Sequence, residues 1–127
     1  MTEASEFCRG LRVLLVEDES IIAMLTESML QEMGCDDVVL AGSVGQALRA
    51  IEDQMPDLAV LDVNLRGEMV LPVAERLARE KVPFAFATGY NAMGVLAAWR
   101  DYPLVQKPFG MPELEAALKE ALGVADD

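Results

Sequence analysis

Five short apolar runs punctuate the chain, at 13–16, 38–40, 58–61, 84–87 and 104–105. Each is too short for a helix and several are flanked by Gly or Pro; their near-continuous apolar character suits strands buried on both faces. Between them the period lengthens to that of a helix. Ile21, Ile22, Leu25, Met29 and Met33 recur at helical spacing and stop at Gly34, suited to the left-handed position past a helix end, with Ser20 placed to cap the start. A second helix, 43–54, opens on Ser43 with Gln46 three residues later, a capping box, and puts Val44, Ala47, Leu48 and Ile51 on one face. A third is expected over 69–81, with Pro72 tolerated in its first turn and Gly67 ending the preceding loop. A fourth is expected over 92–99. The fifth, 112–122, has Pro112 at its first position and Gly123 just past its end.

Five strands alternating with five helices predict an α/β fold, a five-stranded parallel sheet with helices on both faces joined by right-handed crossovers. In open sheets of this kind ligands bind beyond the carboxyl ends of the strands, where strand order reverses. The residues that matter are therefore those just after each strand. After the first come Glu17 and Asp18, after the third Asp62 and Asn64, after the fourth Thr88 and Gly89, and after the fifth Lys107 and Pro108. Three carboxylates in one cleft would hold each other protonated unless a divalent cation neutralises them, and hard oxygen ligands select Mg²⁺ or a similar ion. Thr88 adds a hydroxyl, Lys107 a fixed positive charge and Gly89 room for close backbone approach, a set suited to a phosphoryl group.

Composition removes several alternatives. With 127 residues the chain is expected to be one domain, and no apolar run approaches the roughly 20 residues of a membrane span. The net charge of -12, from 10 basic and 22 acidic residues, repels phosphate backbones, so no nucleic-acid partner is expected. The absence of histidine excludes Ser-His-Asp and Cys-His catalysis, histidine zinc sites and a phosphohistidine on this chain. The first ten residues lack a secretory signal, which points to the cytoplasm and reduced thiols. Cys8 and Cys35 are accordingly read as inert small hydrophobes. Trp99 reads as packing at the end of the fourth helix, and Glu19 as an acid opening the first.

The Val-Glu-Asp-Glu after the first strand, Asp62 closing Leu-Ala-Val-Leu-Asp, Thr88 after the fourth strand and Lys107-Pro108-Phe109 together resemble the receiver domain of two-component response regulators. The resemblance covers 11–122. It implies a flavodoxin-like (βα)5 fold of strand order 2-1-3-4-5, with 1–10 as an extension, 11–123 as the receiver and 124–127 as a tail, and no output domain attached. It implies that Asp62 accepts a phosphoryl group from a histidine kinase or histidine phosphotransfer protein. Asp18, Asp62 and the backbone carbonyl of Asn64 would ligate Mg²⁺, with Glu17 acting directly or through water. Lys107 would pair with Asp62 and then with the phosphoryl oxygens, and the Lys107-Pro108 bond is expected to be cis. Output would run through protein contacts on the face of the fourth and fifth helices and fifth strand, with no enzymatic activity beyond phosphorylation and dephosphorylation of Asp62.

One departure concerns the switch. Leu104 stands where most receivers carry an aromatic residue, while 84–90, Phe-Ala-Phe-Ala-Thr-Gly-Tyr, resembles the FAT GUY subgroup of single-domain receivers. Tyr90 would then act with Thr88 in switching, although Asn91 replaces a further Tyr. A receiver-like interaction module that needs no phosphorylation is the main alternative. A haloacid-dehalogenase-type phosphohydrolase normally needs an acid where Asn64 stands, and a flavodoxin-like carrier a Ser/Thr-rich phosphate loop where the acids stand.

Overall fold

A computed structural model describes residues 7–89 and 97–123. Five parallel strands, β1 (Arg12–Val16), β2 (Asp37–Ala41), β3 (Leu58–Asp62), β6 (Phe84–Thr88) and β7 (Leu104–Gln106), form one sheet in the order β2-β1-β3-β6-β7. This is the expected 2-1-3-4-5 pattern, interrupted by a two-stranded ribbon of β4 (Asn64–Leu65) and β5 (Glu68–Met69). The helices are α1 (Ser20–Glu32), α2 (Val44–Asp53), α3 (Leu71–Arg79) and α4 (Met111–Leu122).

The sheet separates two cores because side chains alternate along each strand. Leu14, Val16, Leu61, Phe84 and Phe86 pack with α2 and α3 on one side, while Val13, Leu15, Val60, Ala85 and Leu118 form the core on the other. The central strands β3 and β6 are buried at every position, so Asp62 and Thr88 are carried into low-exposure surroundings at their ends.

Local chemistry accounts for most boundaries. Ser43 caps α2 by accepting the Gln46 amide at 3.1 Å; the Gln46 side chain, however, accepts from Gly42 at 2.8 Å, one residue earlier than a capping box requires. Pro72 lies in the first turn of α3, and Gly34 and Gly123 take positive φ just beyond α1 and α4. The Lys107-Pro108 bond is cis, as expected.

Further expectations need correction. Ser20 is the first helical residue of α1 and not its cap; Glu19 holds that position without a side-chain cap. The buried stripe of α1 is Ala23, Thr26 and Leu30, continued by Met33 just past its end, and Ile21, Met24 and Leu25 are exposed. Gly67 does not end a loop but sits in the turn between β4 and β5, which delays α3 to Leu71. Cys8 and Cys35 are joined as a disulfide, their Cα atoms 5.2 Å apart, which ties residue 8 of the expected extension into the core. Of the expected fourth helix, Ala97–Trp99 is a 3-10 turn and 92–96 lie outside the described residues. Trp99 packs as expected, its ring centroid 5.9 Å from Phe86 and 5.4 Å from Tyr102. Among the described residues no helix is long and apolar enough to cross a membrane.

Replacing Ser43 by Ala removes the α2 cap and is expected to lower unfolding stability by about 1 kcal/mol in a denaturant titration; unchanged stability would show that the Ser43 bond adds nothing.

Candidate functional site

The carboxyl ends of β1, β3, β6 and β7 meet at one edge of the sheet. β1 delivers Glu17 and Asp18, β3 Asp62, β6 Thr88, and Lys107 follows β7 directly. Parallel pairing fixes the juxtaposition: Asp62 is in register with Ala87, Thr88 with Gln106, and the Lys107 amide donates to the Thr88 carbonyl at 2.7 Å. Carboxylate oxygens of Glu17, Asp18 and Asp62 lie within 4.8 Å of one another. Glu17 and Asp62 are buried.

Lys107 is the interior cation of this cluster. Its Nζ donates to Glu17 Oε1 at 2.9 Å and lies 3.2 Å from Asp62 Oδ2, so it bridges two acids where pairing with Asp62 alone was expected. Burial disfavours its charge, but the hydrogen bond to Glu17 and the charges of Asp62 and Glu17 outweigh this and raise its pKa. One ammonium does not compensate three acids. Desolvation first, then the repulsion of Glu17, push the Asp62 pKa from 3.8 to about 7 against the opposing pull of Lys107. The set remains short of positive charge, and a divalent cation with oxygen preference fits it.

The rest of the site is arranged around these groups. The Glu19 amide donates to Glu17 Oε2 at 3.2 Å, orienting that carboxylate from the start of α1. The Asn64 amide donates to Asp62 Oδ1 at 3.4 Å, and the Asn64 side chain accepts from Gly67 at 2.7 Å, pinning the β4–β5 turn. Thr88 is buried, with its hydroxyl 3.2 Å from the Gly89 carbonyl. An open pocket of about 500 Å³ faces solvent, lined among others by Asp18, Asp62, Asn64, Gly89 and Lys107. Tyr90 and Asn91 lie outside the described residues. Arg66, which the sequence reading passed over, lies 3.1 Å from Asp18 through its Nε. The signal available was an Arg-Gly pair four residues past Asp62.

The geometry can hold a hard cation against Asp62 and present one carboxylate oxygen to an incoming phosphorus. Its resting charge imbalance has a consequence for stability. The folded protein keeps the Asp62 proton to about pH 7 while the unfolded chain releases it near 3.8, so the native state binds more protons in that window and Asp62 progressively costs stability as pH rises. Asp62→Asn is therefore expected to be more stable than wild type in EDTA at pH 8, by on the order of 1–3 kcal/mol, with the gap closing toward pH 4. Denaturant titrations at both pH values check this; a pH-independent gap would contradict the assigned charge balance.

The chain resembles known proteins over nearly all its length. It is 44% identical to SdrG from Sphingomonas melonis Fr1, whose solution structure superposes with a TM-score of 0.80 over 88% of this chain and 96% of that one. The receiver domain of the PhyR response regulator from Erythrobacter litoralis is 28% identical, with a TM-score of 0.80 over 94% and 95%. The sensory transduction protein LytT of Bacillus subtilis is 35% identical over 87% of this chain and 47% of its own length. The chain thus spans about half the length of curated relatives such as LytT and the transcriptional regulatory protein PdtaR of Mycobacterium tuberculosis, which is 30% identical. A family model of the response regulator receiver domain matches residues 13–119, and the chain belongs to that family.

Proposed function

We propose that this protein is a phosphoryl-accepting receiver in which Asp62 takes a phosphoryl group from the phosphohistidine of a histidine kinase or histidine phosphotransfer protein. The observation that supports it most is the short-range convergence of Glu17, Asp18 and Asp62 with Lys107 at the sheet edge. An Asp62 carboxylate oxygen attacks phosphorus, the P–N bond to the donor imidazole breaks, and an acyl phosphate forms on Asp62. Asp18, Asp62 and the Asn64 carbonyl would hold Mg²⁺, with Glu17 beside them; when bound, the ion draws charge from the transferring oxygens and favours ionised Asp62.

The remaining residues position and neutralise. Lys107 already lies at hydrogen-bond distance from Asp62 and, after transfer, neutralises phosphoryl charge. The Thr88 hydroxyl, at the neighbouring strand end, donates to a phosphoryl oxygen, and Tyr90 responds to that contact as the switch. Water attack on the phosphorus later releases inorganic phosphate and restores the carboxylate. This is signalling chemistry on the protein itself.

A protein donor has to reach Asp62 across the pocket rim. Beside that rim, a groove of about 320 Å³ is lined by Ile22, Leu25, Met29, Lys107, Pro108 and Phe109, and Ile22 and Lys107 also line the acidic pocket. The exposed Ile21, Met24 and Leu25 of α1 extend this apolar surface, which suits a helical donor bringing its histidine to the rim. Output is assigned to the face of Ala97–Trp99, β7 and α4, where Leu104 is exposed.

Incubation with acetyl phosphate and Mg²⁺ is expected to add one phosphoryl group by intact-mass spectrometry, lost in EDTA and in Asp62→Asn. No adduct, with rapid hydrolysis excluded by a beryllofluoride titration, would favour an interaction module that needs no phosphorylation.

A further inference from the structure

Arg66 and Gly67 are the two loop residues between β4 and β5, Leu65 pairing directly with Glu68, and both have positive φ, 56° and 86°. Two-residue hairpins of this primed type favour Asn-Gly, Asp-Gly or Gly-Gly because the left-handed region crowds a Cβ against the following carbonyl. Gly67 answers that need, since a Cβ there would meet no atom within 4 Å and only its φ calls for glycine. Arg66 does not, and a left-handed arginine beside a charged pocket calls for a reason beyond the turn.

Its side chain supplies one. Arg66 is 80% exposed, yet its Nε reaches Asp18 Oδ2 at 3.1 Å, a carboxylate only 10% exposed and one of the three clustered acids. Lys107 serves Glu17 and Asp62 from the interior, which leaves Asp18 to be neutralised from outside. The turn is itself anchored to the site, since Asn64, two residues past Asp62, bonds the Gly67 amide. Arg66 thus projects from a fixed platform over the pocket that both residues line.

We propose that Arg66 is a built-in counter-ion that occupies Asp18 in the metal-free protein and must leave when a divalent cation takes that carboxylate, so that it sets how tightly the pocket binds Mg²⁺. The inference rests on the metal site proposed above. An exposed pair of this kind is a weak brake: it holds the acid cluster together without metal and yields to an ion of twice the charge. Because the guanidinium is in water, its departure exposes no buried polar group.

The test is a calorimetric Mg²⁺ titration of wild type, Arg66→Ala, Arg66→Asn and Asp18→Asn. Arg66→Asn keeps a residue that tolerates the left-handed turn, so an effect shared with Arg66→Ala reports charge and not a collapsed hairpin. Both Arg66 variants are expected to bind Mg²⁺ about 1.5- to 5-fold more tightly than wild type, the range of an exposed ion pair. Wild-type affinity in both, with Asp18→Asn severely weakened, would overturn the role of Arg66 and leave the metal site standing. Unchanged affinity in Asp18→Asn would overturn both.

Discussion

Mutual repulsion among Glu17, Asp18 and Asp62 is the constraint around which the structure is built. Parallel pairing of β1 with β3 forces these acids together, and burial at the strand ends removes the water that would screen them. Lys107, held across the sheet by the Thr88 carbonyl, offsets part of this charge from below. What remains is an acidic pocket in which burial and the neighbouring Glu17 raise the Asp62 pKa to about 7. The energetic cost of the resting cluster and its fitness for a divalent cation have one origin.

The strand-end position of Asp62 was legible from the sequence for a physical reason, whereas the strand order and the cis Lys107-Pro108 bond followed from the resemblance to receiver domains. A strand buried on both faces admits no charge, so Asp62 at the end of Leu58–Leu61 could only lie at the rim; Thr88 and Lys107 were located by their places just after apolar runs. The face of α1 was not legible. Its apolar residues cover more than one stripe, and Ala23 and Thr26, small enough to approach the sheet, were buried in place of the larger Ile21 and Leu25. Apolar spacing reads burial only when apolar residues are confined to one side, and here a second apolar surface flanks the pocket.

The β4–β5 hairpin and the Cys8–Cys35 bond were hidden for other reasons. Leu65 and Met69 match a helix entrance as well as a two-residue strand, and only the pairing of Leu65 with Glu68 distinguishes them. That ambiguity concealed Arg66, since the reach of a turn residue toward Asp18 depends on the turn's direction. The cysteines are 27 residues apart, and only the packing of residues 7–8 on the second core brings them together.

The most direct test of the charge account is calorimetric titration of Mg²⁺ into wild-type protein at pH 7 in two buffers of different ionisation heat, which counts the protons released on binding. With Asp62 titrating at about 7 in the metal-free state, the account predicts release of about half a proton per ion at pH 7, falling toward zero by pH 9. Binding with no proton release at pH 7 would mean that Asp62 is already ionised without the metal, contradicting the claim that the cluster is short of positive charge.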